Sequence, residues 1–325
     1  MIHGKWISKA IAVAADLRIA DVLRSGARSC TEIAREVGAT EDGVYRLLRA
    51  LSVVGVFAEL DGRRFELTPI GEHLRTDRPD SLAGWARFHG HDVTWRSWGR
   101  LGDGVRTGEP VFRSVFGMST FEYLAQTPDA AEVFNAAMTS ISSTEADAIA
   151  CDYDFSGISK LADVAGGHGL LLATILRANP QLRGVLFEMP HAIEGARRLF
   201  EERAVAPRCE IVSGDFFATA PAGCDAYILK HIIHDWDDER SAAILVNCRK
   251  AMTRGGRVLV IEMVVPAPNE PHFGKLLDLE MMAMTEQGRE RTAEEFSALF
   301  ARAGFRLARI VPTRALVSIV EGVPV

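Results

Sequence analysis

The ten residues LKHIIHDWDD, 229–238, place Lys230, His231, His234, Asp235, Asp237 and Asp238 directly after the apolar run DAYIL. Side chains of these types can hold a metal ion, move protons at the rim of a sheet, or sit solvated in a loop. The two histidines, three apart, suit a metal only with a third ligand at close spacing, and none is evident. His231 continues the strand pattern and is expected to be structural or pocket-lining. For His234 the three readings stay open at this point.

Three more polar clusters follow apolar runs. Asp163-Val-Ala-Gly-Gly-His-Gly169 ends one run and opens a helical pattern. Glycines there let a backbone approach a ligand closely. The turn departs from the dinucleotide fingerprint G-x-G-x-x-G/A: counting from Gly167 and Gly169, the third small position is Leu172, a large residue that opposes packing over a pyrophosphate. Glu188 ends the next run, about 20 residues beyond the glycines, where an acid can accept from a ribose diol. With Pro190 close behind, it also reads as a helix-start acid. Gly214-Asp215-Phe216-Phe217 ends a third run, an acceptor beside an aromatic face that suits adenine. These ends describe a nucleoside site without a phosphate-specific lysine.

Such clusters need a scaffold that aligns them. From residue 150 onward, apolar β-rich runs alternate with helical patterns: SKLADVAGG, RGVLFEM, CEIVSGDFF, CDAYILKH and GGRVLVIEMVV, separated by LLLATILRANP, AIEGARRLFEER and DERSAAILVNCRKAM. RLARIVPT and ALVSIVEG close the set as an antiparallel pair. Alternation of this kind implies an α/β fold, a parallel sheet covered on both faces, with ligands at the carboxyl ends of its strands.

Before residue 150 nearly everything reads helical. Residues 6–24 carry apolar residues at helical spacing, with Arg18 standing in the stripe. Thr31 and Thr40 are candidate caps for two further helices, and Asp61-Gly62 marks a hairpin. Helix, helix, helix, hairpin is a winged-helix pattern. A groove-reading helix should expose several basic residues, but in residues 41–54 Glu41 and Asp42 cancel Arg46 and Arg49. A packing or dimerisation module fits better than a DNA reader. The expected division is 1–100 and 101–325, the latter with a helical lead-in over 101–150. Trp85, Phe88, Trp95, Trp98, Phe121 and Phe134 are core residues or the lining of a lid.

Bulk composition agrees. A net charge of −6 over 325 residues disfavours nucleic acid as partner. Five scattered cysteines without a CxxC, no signal-peptide pattern and no long apolar run point to a cytoplasmic protein with no membrane partner.

In order, DVAGGHG, LFEMP, GDFF, LKHIIHDW, GGRVLVIE and GRERTAEEF resemble the S-adenosylmethionine-dependent small-molecule O-methyltransferases, the plant caffeate type and its bacterial relatives in antibiotic and pigment pathways. The resemblance covers nearly the whole chain. It implies a class I methyltransferase, Rossmann-like sheet behind an N-terminal winged-helix-like dimerisation domain, hence a homodimer. It assigns Asp163, Gly166, Gly167 and Gly169 to the methionine end of S-adenosylmethionine, Glu188 to the ribose, Asp215 and Phe216 to adenine, and Lys230 to a further cofactor contact. S-adenosylhomocysteine is the product. His234 becomes the general base, bracketed by Glu262 and Glu290.

The chemistry suits those types. Methyl transfer from a sulfonium is an in-line displacement in which alignment does most of the work. A phenol with pKa near 10 needs a base at neutral pH, and a histidine near 6.5 is largely neutral and able to accept. For the small-molecule acceptor, Asp235, Asp278, Met281, Met282, Trp95, Phe134 and Met138 are candidates; Asp235 also reads as a helix cap and the methionines also read as core. Three departures from the family pattern stand out. Ala165 replaces a glycine, Glu188 replaces the commoner Asp, and the chain opens close to GKWISKA, which bears on dimer strength. Rival readings are the same fold and cofactor with hydroxylation or a pericyclic step, N- or C-methylation, and a ligand-sensing winged-helix regulator.

Overall fold

The structure is a computed structural model that describes residues 2–190, 193 and 195–325. It divides into two units, Met1–Gly99 with Phe121–Ser143, and Arg100–Thr120 with Thr144–Val325. The lead-in to the sheet is therefore shared out rather than continuous with the second unit. Helix Pro128–Asp152 begins in one unit and ends in the other.

In the second unit seven strands form one sheet. In chain order they are β1 (Lys160–Val164), β2 (Arg183–Glu188), β3 (Cys209–Ser213), β4 (Ala226–Lys230), β5 (Arg257–Glu262), β6 (Phe305–Pro312) and β7 (Ser318–Pro324). They lie in the order β6-β7-β5-β4-β1-β2-β3. β1 to β5 pair in parallel, and β7 runs antiparallel between β5 and β6, as the pattern of runs implied. Alternate residues feed two separate cores. Leu161, Leu186, Ile228 and Leu259 pack with Leu171 and Ile175 of helix Leu170–Ala178. Val164, Val185, Leu229 and Val260 pack with Leu245 of helix Asp238–Ala251 and Phe300 of helix Ala293–Arg302. Burial on both faces is why these strands read as continuous apolar runs. Leu172, too large for a dinucleotide turn, is used in packing: a Cβ on Gly184 would lie 2.9 Å from both Leu172 and Leu176. The helical pattern after β2 yields Ala196–Glu202, while His191, Ala192 and Glu194 lie outside the described residues.

The first unit holds the expected three helical segments and hairpin, with differences. The single helix over 6–24 is two, Gly4–Asp16 and Ile19–Val22, because Arg18 turns left-handed at φ 53°. Ser29, not Thr31, caps Cys30–Val37: its hydroxyl accepts from the Glu32 N–H while Glu32 accepts from the Ser29 N–H, and Thr31 instead donates to Glu41. Thr40 caps Glu41–Ser52 as expected. The hairpin Phe57–Leu60 and Arg64–Leu67 turns at Asp61-Gly62 and gains a third strand, Arg28–Ser29. Phe88 is buried core, with Phe134 edge-on to it at 5.7 Å.

Just beyond β1, Ala165 adopts φ 58°, a conformation that suits glycine. Ala165→Gly is expected to raise stability by up to about 1 kcal/mol. Calorimetric melting checks this, and an unchanged or lower midpoint would show that the turn bears no strain there.

Candidate active site

Because β1 to β5 are parallel, their carboxyl ends share one edge, and each delivers a polar or aromatic group. At β1, Asp163 is 1% exposed and its Oδ2 has no hydrogen-bond partner among the described residues. Burial, with Glu188 adding and Lys230 opposing, pushes its carboxyl up to about 7. The glycines that follow differ in purpose. A Cβ on Gly166 would meet the Asp163 carboxyl at 2.5 Å, and one on Gly169 the Phe200 ring at 2.5 Å. Gly167, at φ 56°, faces open space, so clearance for a ligand rests on that position alone.

At β2, Glu188 accepts from the Gly167 N–H at 3.0 Å and from the Met189 N–H at 2.7 Å, tying the glycine turn to the strand end. Among the described residues the next helix begins at Ala196. Beyond β3, Asp215 is exposed, and its Oδ1 accepts from the Phe217 N–H at 2.8 Å. Phe216, half-buried, contacts Phe217 at 4.8 Å between ring centroids, and Phe217 meets Trp236 edge-on at 4.8 Å. This donor and acceptor set fits a nucleoside: an orphaned buried carboxylate oxygen, an acid at the second strand end, and an exposed acceptor beside an aromatic ring. At β4, Lys230 Nζ pairs with Glu145 at 3.2 Å.

His234 lies in the turn Ile233–Asp235 after β4 and is 6% exposed. Its Nδ1 stands 2.7 Å from Glu290 Oε1, and its backbone N–H donates to Glu262 Oε1, at the end of β5, at 2.9 Å. Facing a carboxylate, Nδ1 carries the proton, which leaves Nε2 as the free nitrogen. Nε2 is 3.8 Å from Asp235 Oδ1, beyond hydrogen-bond reach. Burial opposes a charge on this imidazole, but Glu290, Asp235 and Glu262 outweigh it and raise the pKa to about 10. The residue type alone suggests a largely neutral ring, whereas the carboxylates gathered around His234 favour its protonated form. Burial, with Glu290 adding, pushes Glu262 up to about 7 and Asp235 up to about 6, His234 opposing both.

The segment after Gly288 holds that turn. Arg291 is fully buried; its guanidinium donates to Ile233 O at 3.1 Å, Trp236 O at 2.9 Å and Asp238 Oδ1 at 2.9 Å. The Arg289 N–H donates to His234 O at 2.8 Å. A Cβ on Gly288 would stand 2.3 Å from that same carbonyl oxygen, so glycine is required for the approach. The sequence reading missed Arg291 and Gly288 as supports, although both flank Glu290 and a Gly-x-Glu-Arg stretch was the available signal.

The remaining candidates separate. Asp278 accepts from the Glu290 N–H at 2.8 Å, which makes it a brace for Glu290. Asp235 caps nothing: Asp237 caps helix Asp238–Ala251 through the Arg240 N–H at 2.7 Å. Asp235 and Trp236 border an open cleft of about 210 Å³. On helix Gly274–Met284, Met281 and Met284 are buried core, whereas Met282 is 38% exposed. Trp95, Phe134 and Met138 belong to the first unit. His231 departs from the strand: β4 ends at Lys230, and His231 turns left-handed at φ 53°. Each histidine pairs with its own carboxylate, and among the described residues no group of three or more His, Cys, Asp or Glu is arranged to hold a metal ion.

The fold and this edge define the class, and the comparisons agree: the chain belongs to the O-methyltransferase family. An O-methyltransferase domain matches residues 98–306, and an O-methyltransferase dimerisation domain matches residues 1–77. The chain is 42% identical to the phenazine O-methyltransferase PhzM of Lysobacter antibioticus over 325 residues, covering 100% of this chain and 95% of that one. It is 40% identical to the mitomycin biosynthesis 6-O-methyltransferase of Streptomyces lavendulae, covering 97% and 90%. A calicheamicin-pathway methyltransferase solved with S-adenosylhomocysteine bound superposes with a TM-score of 0.88 at 37% identity, covering 100% and 96%. Further relatives are named N-methyltransferases. The protein is an enzyme that depends on S-adenosylmethionine. No helix among the described residues is long and apolar enough to cross a membrane.

The His234 pair should appear in the pH dependence of stability. Its folded pKa is raised above an unfolded value of about 6.5, so the contribution is complete below that pH and disappears as pH rises through about 10. The melting midpoint of Glu290→Gln is expected to lie furthest below the parent's near pH 6 and to converge with it above pH ~10. Parallel curves across that range would mean that no charged His234–Glu290 pair exists.

Proposed function

We propose that the chain transfers the methyl group of S-adenosylmethionine to a hydroxyl of a small aromatic or polyketide-like metabolite, with His234 as general base and without a metal. The observation that carries this is the buried His234–Glu290 contact of 2.7 Å, on the same sheet edge as Asp163, Glu188 and Asp215. When bound, S-adenosylmethionine supplies an electrophilic methyl. Gly167 with the orphaned Asp163 oxygen would receive its methionine end, Glu188 its ribose, and Asp215 with Phe216 its adenine. Lys230, already paired with Glu145, would contribute there chiefly through its charge.

Glu290 fixes the His234 tautomer and stabilises the imidazolium formed when Nε2 takes the acceptor proton. Glu262 holds the backbone from which the ring projects. A base near pKa 10 matches a phenol near 10, so the proton is shared almost evenly between them. Activity is therefore expected to climb from neutral toward alkaline pH, as free His234 becomes neutral. Asp235 and the exposed Met282 would contact the acceptor. The match to a dimerisation domain, and Trp6 exposed on the first helix, support a homodimer. Free cysteines at 30, 151, 209, 224 and 248 support a reducing, cytoplasmic setting.

Methyl transfer to nitrogen is a second reading, favoured by the relatives named N-methyltransferases. It separates cleanly, because an amine with a free lone pair needs no general base.

Titration calorimetry with S-adenosylhomocysteine, beside NAD, tests the cofactor site without an acceptor: binding by the former alone is expected. An acceptor screen read by a mass gain of one methylene follows. In His234→Ala, cofactor affinity should persist while O-methylation falls by about 10²–10⁴-fold. Unchanged turnover would sink the base assignment and favour a nitrogen acceptor.

A further inference from the structure

A second buried histidine–carboxylate pair lies against the first and has no part in the mechanism above. His231 Nε2 stands 3.0 and 3.1 Å from the two oxygens of Glu145, on helix Pro128–Asp152. Lys230 Nζ reaches the same carboxylate at 3.2 Å. Consecutive residues of a strand point to opposite faces, so they cannot normally meet one partner. They do here because His231 leaves the strand at φ 53°, while its N–H still donates to Ile261 O at 3.1 Å. Histidine is among the non-glycine residues that tolerate this region. The turn lays the His231 ring on the His234 ring, with centroids 5.2 Å apart and planes inclined by 27°. That is an offset stack within the range of favourable ring pairs.

We infer that His231, tethered by Glu145, is a positioning residue for His234: its ring is the fixed platform that orients the catalytic imidazole. The groups facing the pair are Glu145 from the helix, Lys230 at the end of β4, Asp235 beside His234, Glu262 from β5 and Glu290. Glu145 is held down to about 2; burial opposes its charge, but His231 and Lys230 outweigh it. Burial lowers the His231 pKa, with Lys230 and His234 adding and Glu145 opposing, whereas the His234 pKa is raised. The face of a neutral aromatic ring attracts a cation, whereas two stacked imidazolium rings would repel. In the neutral ring Nε2–H donates to Glu145 and Nδ1 is the acceptor, which is buried without a partner among the described residues.

The inference rests on His234 being the base, so its test must fail separately. In the full chain with selectively labelled histidines, NMR gives the His234 titration midpoint directly and needs no acceptor. His231→Asn suits the left-handed turn and removes the ring; the expected result is a midpoint lower by about one pH unit, a tenfold loss of proton affinity. His231→Phe keeps a flat ring but loses the bond to Glu145, so its drop should be the smaller of the two. Binding of S-adenosylhomocysteine certifies that each variant is folded. Should His231→Asn not fold, Glu145→Gln carries the comparison: with the tether cut and Lys230 uncompensated, the midpoint should again fall. An unchanged midpoint in a folded His231→Asn or Glu145→Gln protein, or an equal drop in Asn and Phe variants, overturns the inference. Failure of the base assignment would appear instead as unchanged turnover in His234→Ala.

Discussion

A charged imidazole that is 6% exposed survives only beside a carboxylate that is itself held in place. The His234–Glu290 pair is that constraint, and much of the second unit serves it. Glu290 is braced by Asp278 from helix Gly274–Met284, and Arg291 is drawn into the core, where it binds carbonyls on both sides of His234. Arg291 makes sense only in this light. A fully buried guanidinium is costly unless its donors are satisfied, and here they meet Ile233 O, Trp236 O and Asp238 Oδ1. The short parallel pairing of Arg291–Thr292 with Val264–Val265 then fixes this segment against the end of β5.

What the sequence revealed and what it hid follow from the range of the forces involved. The five parallel strands and the closing pair were legible because both sheet faces are buried and each strand is a short apolar run. The motifs at their ends were legible because parallel strands put every carboxyl end on one edge. Local signals served less well where two residues competed for one role. Thr31 and Ser29 both stand at the start of one helix, and the reciprocal bond with Glu32 selects Ser29. Asp235 and Asp237 both precede another, and only Asp237 reaches the Arg240 N–H.

Other features needed contacts far apart in sequence. Nothing near Glu145 announces a partner 85 residues away, since a buried acid inside a long helix has no periodic signature. The raised pKa of His234 was equally hidden. The residue type predicts a neutral ring near pH 7, but three carboxylates brought from β5, from the segment after Gly288 and from the neighbouring Asp235 reverse that expectation. The interleaving of residues 121–143 with the first unit is likewise a matter of packing, which a change in sequence style at residue 150 does not encode.

The two left-handed residues at the sheet edge, Ala165 and His231, have a common origin. They follow β1 and β4, neighbours in the sheet and the strands between which the topology reverses. Each makes one last bond outward as it leaves: the Ala165 N–H donates to Phe187 O of β2 at 2.7 Å, and the His231 N–H to Ile261 O of β5 at 3.1 Å. The two bonds run to opposite sides, one to β2 and the other to β5. Such conformations persist only where surrounding structure over-determines them. Here the outward bonds do so at both positions, and at His231 the Glu145 tether adds a third restraint. Both left-handed turns thus sit at one topological feature, the reversal of strand order between β1 and β4.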